Sequence, residues 1–130
     1  LKMTKPVVPS ERELDLLKVL WELGEAKVRD IHNALCPNQE CAFTTVQTLL
    51  RIMCTKGLVD KRAEGRTDFY RPVYTLENAT TRFIDKVFDG ARDKFVLSML
   101  ASEKISADEL RSVEAMIAKA RVSKQDKEEN

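Results

Sequence analysis

The sequence predicts a mainly α-helical chain interrupted once by a small β-ribbon. Three helices and the ribbon occupy residues 1–74, three more helices occupy 75–121, and 122–130 form a charged flexible tail. Three observations predict this. Apolar residues recur at helical spacing in six segments. Only between Leu58 and Val73 does the pattern become two short β-prone runs around a turn. Two Ser-x-x-Glu boxes and a set of glycines mark where helices start and stop.

The elements follow in order. Ser10-Glu11-Arg12-Glu13 is a capping box after Pro9, in which the Ser10 hydroxyl accepts from the Glu13 N–H and the Glu13 carboxylate reaches back. Leu14, Leu17 and Trp21, widened by Leu16, Leu20 and Leu23, give a first helix over Ser10–Leu23, closed by Gly24. Val28, Ile31 and Leu35 mark a short second helix that stops before Pro37, and Pro37 to Glu40 form a loop. The third helix runs from Phe43 to Lys56 with Gly57 beyond it. Its Val46, Leu49, Leu50 and Met53 fall on one face and must turn inward. Thr44, Thr48, Arg51 and Thr55, flanked by Gln47, fall on an exposed stripe that carries no acid.

Leu58–Ala63 and Asp68–Val73 read as two strands joined at Glu64-Gly65-Arg66-Thr67, with Pro72 suited to a strand end. After Tyr74 the helical period returns. Phe83, Ile84, Val87 and Phe88 mark the fourth helix, ended by Gly90; Phe95, Val96, Met99 and Leu100 mark the fifth. Ser106-Ala107-Asp108-Glu109 is a second capping box, opening a sixth helix with Leu110, Val113, Ile117 and Ala120 on one side and Met116 beside them. From Val122 the chain is charged and expected to fray.

Composition narrows the function. The chain has 130 residues, 43% hydrophobic and 33% charged, which excludes a disordered or collagen-like polypeptide. No apolar run approaches the roughly 18 residues of a membrane span. The polar first ten residues, with two prolines, predict no signal peptide. Three irregularly spaced cysteines make no disulfide framework, so a reducing cytoplasm is expected. Net charge is +1 overall, but residues 42–74 hold six Lys/Arg against three acids, while the segments before and after are each at −1. The positive excess therefore lies on the third helix and the ribbon.

Three helices followed by a two-stranded ribbon is the order of a winged helix-turn-helix, with the third helix reading DNA and the ribbon as its wing. In the major groove Arg can bond guanine, Gln can bond adenine, and a Thr methyl can meet a thymine methyl. Lys61, Arg62 and Arg66 on the ribbon can reach phosphates. The last three helices are too short to close a core alone, so their large apolar side chains call for a second copy of the same region. The rival reading is a winged helix used for protein–protein contact, but such a face needs large apolar anchors rather than Thr, Gln and Arg.

The chain resembles the BlaI/MecI-type penicillinase repressors, a family that includes the CopY-type copper repressors. The resemblance spans about Val8 to Ala120. It rests on Glu13-Leu14 through Leu20-Trp21-Glu22, on Val28-Arg29-Asp30-Ile31, on Phe43-Thr44-Thr45-Val46-Gln47-Thr48-Leu49, on Lys56-Gly57-Leu58-Val59, and on Phe69-Tyr70-Arg71-Pro72-Val73. The resemblance implies a dimeric repressor that binds an inverted repeat in double-stranded DNA over promoters. It implies a C-terminal helical dimerisation domain, and Thr44, Thr45, Gln47 and Thr48 approaching DNA. It also implies release by proteolysis in that domain, triggered by a membrane sensor-protease that detects a β-lactam. Three positions depart from the family pattern. Many relatives carry Arg where this chain has Ile52, whereas here it stands one residue earlier, at Arg51, about 100° around the helix. The Asn–Phe bond cut in β-lactam-responsive members corresponds to Ser98-Met99. The paired Cys-x-Cys motifs of copper-responsive members do not follow Cys54.

The expected dimer contacts are Phe83, Val87, Phe88, Phe95, Val96, Met99, Leu100, Leu110, Val113 and Ile117. His32, Cys36 and Cys41 have the residue types of a metal site, but their spacing matches no strong zinc pattern and a fourth ligand is missing. They are read as a surface histidine with partly buried thiols, and Cys54 and Trp21 as core. No catalytic constellation, phosphate loop or paired metal carboxylates stand out, so neither an enzyme nor a cofactor is predicted.

Overall fold

The computed structural model describes residues 7–129. Residues 1–6, where the polar N-terminal stretch begins, and Asn130, the end of the expected tail, lie outside the described residues. The element order is α1 (Glu11–Leu23), β1 (Ala26–Lys27), α2 (Val28–Leu35), α3 (Phe43–Lys56), β2 (Val59–Glu64), β3 (Thr67–Pro72), α4 (Leu76–Phe88), α5 (Arg92–Leu100) and α6 (Ala107–Glu129). The described residues fall into two compact units that divide within α4, between Thr80 and Thr81.

In the first unit the Ser10 capping box is formed in both directions, Glu13 N–H to Ser10 Oγ at 3.2 Å and Ser10 N–H to Glu13 Oε1 at 2.8 Å. Gly57 ends α3 in the left-handed conformation, φ 80°, which frees the chain to turn into β2. Two residues, Gly65 and Arg66, join β2 to β3, and only Gly65 has positive φ (63°), as in a II′ hairpin. The antiparallel register pairs Lys61 with Tyr70 and Arg62 with Phe69.

The sheet has three strands, not two, in the order β1-β3-β2. β1 pairs Ala26 with Tyr70 and Lys27 with Phe69. Two residues are too few to show an alternating pattern, so β1 was not legible as a strand. The core gathers Leu16, Leu17 and Leu20 of α1, Ile31 of α2, Val46, Leu50 and Met53 of α3, and Leu58, Val59 and Tyr70 around the hairpin. The inward face of α3 is thus the expected one, with Leu49 partly buried beside it. On α1 the buried stripe is rotated: Glu13, Leu16, Leu17 and Leu20 point inward, while Leu14 and Leu23 are exposed. Trp21 packs half-buried against the core and donates its Nε1–H to the Tyr74 carbonyl at 2.9 Å.

In the second unit, Ser106 and Glu109 form the expected box at the start of α6. Beyond Val122, where the sequence leads one to expect a charged flexible tail, α6 continues as helix to Glu129. Its long side chains are good helix formers, and no Gly or Pro follows Ser106 to stop it. Phe83, Phe88 and Phe95 form an aromatic cluster with centroids 5.6–6.2 Å apart, in which Phe95 meets the other two rings edge-on. Ile84 is buried. Most other large apolar side chains of the unit lie on its surface.

Candidate nucleic-acid interface

Helix α3 is oriented by its own pattern. Val46, Leu50 and Met53 are fully buried, which forces Thr44, Thr45, Gln47, Thr48 and Arg51 outward, and all five are exposed. Thr55 turns its hydroxyl onto the Arg51 carbonyl at 3.2 Å, so it offers little to a partner. Thr44, Thr45 and Thr48 share an open cleft of about 480 Å³ with Arg12, Leu49 and Ile52. Gln47 and Arg51 lie outside that cleft. Sequence reasoning missed Arg12, because nothing in a one-dimensional pattern places the first turn of α1 beside α3. It also treated Ile52 only as a departure, whereas Ile52 is 40% exposed and supplies an apolar wall among the threonines.

A half-buried ion pair fixes α1 against the end of α3. Glu13 is only 2% exposed, and Lys56 Nζ donates to both of its carboxylate oxygens at 3.0 Å. Burial pushes the Glu13 carboxyl up, but the Ser10 backbone N–H, Lys56 and the Ser10 hydroxyl together hold it below the ordinary carboxylate range. Its capping role was legible from the Ser-x-x-Glu pattern, but this burial was not.

The hairpin does not present its cations equally. Arg62 grips Glu25 with two hydrogen bonds, Nη2 to Oε1 at 2.7 Å and Nε to Oε2 at 3.2 Å. It also reaches Glu64 at 3.2 Å, and its guanidinium lies 4.9 Å from the Phe69 ring centroid. The Arg62 hydrogen bonds lower the Glu25 carboxyl and raise the guanidinium's own pKa. Arg71 pairs with Asp60 at 3.2 Å. Of the six cations in residues 42–74, only Arg51, Lys61 and Arg66 make no ion pair among the described residues.

His32, Cys36 and Cys41 do come together, but not as expected. Cys36 and Cys41 are joined in a disulfide, Cα to Cα 5.9 Å, so they are not thiols. His32 is 6% exposed rather than on the surface, and its Nε2 sits 2.8 Å from the Cys41 carbonyl, to which it can only donate. The two cysteines stand at either end of the α2–α3 turn, a closeness their five-residue separation permits but does not reveal. Cys54 is partly buried against the core, as expected, and burial pushes its thiol pKa up.

Within the second unit the expected contact residues are set out along α4, α5 and α6. Phe83 (50%), Val87, Val96, Met99 (54%), Leu100 and Ile117 are exposed, as are Leu97 and Met116, while Phe88, Phe95, Leu110 and Val113 are half-buried. Ser98 and Met99 are exposed on α5. Among the described residues no helix is long and apolar enough to cross a membrane.

The family model for the penicillinase repressor matches residues 9–119. The penicillinase repressor of Bacillus licheniformis is 25% identical over 105 residues, covering 78% of this chain and 82% of that protein. The methicillin resistance regulatory protein MecI of Staphylococcus aureus (strain N315) is 22% identical over 114 residues, covering 85% of this chain and 93% of that protein. Among solved structures, the DNA binding domain of the repressor BlaI is 26% identical over 55% of this chain and 90% of its own, with a TM-score of 0.49. The match to the family model runs through both units, from the residue before the Ser10 cap to Lys119 in α6, and the chain therefore belongs to the penicillinase repressor family of transcriptional repressors.

Proposed function

We propose that this chain is a cytoplasmic repressor that binds an inverted-repeat operator in double-stranded DNA as a homodimer. The carrying observation is the outward face of α3. Thr44, Thr45, Gln47, Thr48 and Arg51 are all exposed there with no acid among them, and Arg12 lies across the shared cleft. Gln47 and Arg51 can read adenine and guanine edges; the Thr methyls and Ile52 can meet thymine methyls. Lys61, Arg66 and Arg12 hold phosphates alongside, whereas Arg62 braces the hairpin against Glu25.

The dimer forms through the second unit, whose exposed Phe83, Val87, Val96, Met99, Leu100 and Ile117 exceed what an isolated surface comfortably carries. Release follows cleavage near Ser98-Met99 by a membrane sensor-protease that answers cell-wall stress. A cut there separates the DNA-binding half from α6, and a buried interface must first open locally to be cut.

The test is selection of bound duplexes from a random-sequence library by the full-length protein. The expected result is one enriched motif with two symmetric half-sites spaced by about one helical turn, roughly 10 base pairs, or a multiple of it. Absence of any enriched motif would reject sequence-specific binding and favour a protein-binding winged helix.

A further inference from the structure

Helix α3 starts without the usual support. A helix N-terminus leaves four backbone N–H groups without intrahelical partners. A Ser, Thr, Asp or Asn at the cap commonly satisfies one of them. Here the cap residue is Ala42, with no side-chain acceptor, and the first turn carries no acid. What holds the start of α3 is the preceding turn. The Cys36–Cys41 disulfide closes Pro37–Glu40 into a ring. His32 donates to the Cys41 carbonyl at 2.8 Å, and the Phe43 ring stands edge-on to His32 with centroids 5.7 Å apart. Inside the ring Gln39 adopts φ 62°, uncommon for a residue with a side chain, and its N–H bonds the Cys36 carbonyl at 3.0 Å. Five residue steps could extend about 17 Å, and the ring holds the two Cα atoms 5.9 Å apart.

We propose that Cys36 and Cys41 form a thiol–disulfide exchange site whose oxidised form holds the first turn of α3 in place, with low-molecular-weight dithiols and disulfides as its reactants. Cys36 is 6% exposed and Cys41 is the more open of the two, beside a solvent-exposed loop. A dithiol reductant attacks as a thiolate at the Cys41 sulfur. The Cys36–Cys41 bond breaks, a mixed disulfide forms at Cys41, and Cys36 leaves as a thiolate that takes up a proton. The reductant's second thiolate then displaces Cys41, leaving a cyclic disulfide and two protein thiols. Two electrons pass from the dithiol to the protein, and a small disulfide reverses the exchange by the same steps. Thr44 and Thr45 lie three and four residues beyond Cys41, so reduction loosens residues that face the proposed DNA. That consequence, unlike the exchange itself, rests on the reading of α3 as the DNA-binding helix.

The test uses the full-length protein equilibrated with either oxidised glutathione or dithiothreitol. Samples are denatured, alkylated with N-ethylmaleimide and weighed intact. The expected count is one adduct after oxidation, at Cys54, and three after reduction. Amide hydrogen exchange over residues 42–48 should be faster in the reduced protein. Affinity for the library-selected duplex should fall about tenfold on reduction, as when the competent turn is populated about a tenth of the time. In amide exchange and duplex affinity C36S/C41S should match the reduced protein under both conditions, and C54S should keep the full response. Three adducts after oxidised glutathione, or unchanged amide exchange between the two states, would overturn the site. A normal thiol count and exchange response with no duplex bound in either state would leave the site standing and reject the DNA reading. Equal duplex affinity in both states, with DNA bound, would reject its coupling to recognition.

Discussion

Replacing Glu13 by alanine tests how α1 braces the proposed reading helix. The variant loses the Ser10 N–H to Glu13 hydrogen bond, half of the capping box, but keeps the Ser10 hydroxyl on the residue 13 N–H. That loss is worth about 0.5–1 kcal/mol, within the range for helix caps. It also loses two charge-assisted bonds from Lys56, whose side chain is 39% exposed and rehydrates once released. Solvent screening reduces that contribution to about 1 kcal/mol, and the sum is a loss of about 1.5–2 kcal/mol at neutral pH. Lys56→Met should cost at least as much, because it strands a carboxylate that is only 2% exposed. The pH dependence has a definite sign. The folded Glu13 pKa lies below its unfolded value, so its contribution is fully present above the ordinary carboxylate range and is lost as pH falls through the lowered folded value. The gap between wild type and either variant should therefore narrow on acidification. Trp21, the single tryptophan, lies in the first unit, so its fluorescence in urea titrations reports this unit directly. A Glu13→Ala loss under 0.5 kcal/mol, or a gap that stays constant from neutral pH into acid, would refute the brace.

Thr48→Ala or Gln47→Ala should change preference among operator variants by about 1–3 kcal/mol per lost base contact, read by competition binding. Arg66→Ala, Lys61→Ala and Arg12→Ala should weaken all duplexes alike and each reduce the salt slope by about 1, whereas Arg62→Ala should leave the slope nearly unchanged and lower stability, because Glu25 and Glu64 hold that guanidinium. Val87→Asp and Met99→Asp change side chains that are 55% and 54% exposed in the protomer, so each should fold normally yet sediment as monomer at micromolar concentration; a persistent dimer would reject the second-unit interface. In induced cells of the native host, intact-mass spectrometry should find the chain cut near Ser98-Met99, and derepression with the chain whole would reject proteolysis.

Legibility in the sequence followed the length and regularity of each pattern. Helix α3 was legible to its last residue because four apolar positions, a closing Gly57 and a clear polar face all agree. The hairpin was legible to within a residue because its turn permits few alternatives. β1 was not, since a two-residue strand exists only through pairing with Tyr70 and Phe69. The inward face of α1 was misjudged by weighting Leu14 and Leu23 for hydrophobicity, when the Lys56 ion pair draws Glu13 to the inside instead. The same limit applied to charge. Residues 42–74 show a surplus of three positive charges, but sequence could not tell that Glu13 and Glu25, outside that segment, neutralise Lys56 and Arg62. The disulfide stayed hidden because two cysteines five apart read equally as thiols, ligands or a bridge until the turn between them is known.

With only Arg51, Lys61 and Arg66 free of ion pairs in residues 42–74 among the described residues, the proposed interface of a single protomer should hold DNA weakly. Three phosphate contacts, from Arg12, Lys61 and Arg66, correspond to a salt slope of about −2.7 per protomer and about twice that for a dimer. Linking two such half-site contacts in the proposed dimer makes the second intramolecular, so most operator affinity should come from bivalency. Breaking the proposed second-unit interface should therefore disable the repressor with α3 intact, while opening the Cys36–Cys41 ring should loosen the first turn of α3 with that interface intact. The two perturbations fall in different units, and independent sites add within about 0.3–0.5 kcal/mol. The operator-binding loss of a chain carrying Met99→Asp together with C36S/C41S should then be the sum of the separate losses once each is expressed per half-site. A loss clearly smaller than the sum would mean that reduction of the turn acts through the dimer, and that the disulfide supports assembly rather than recognition.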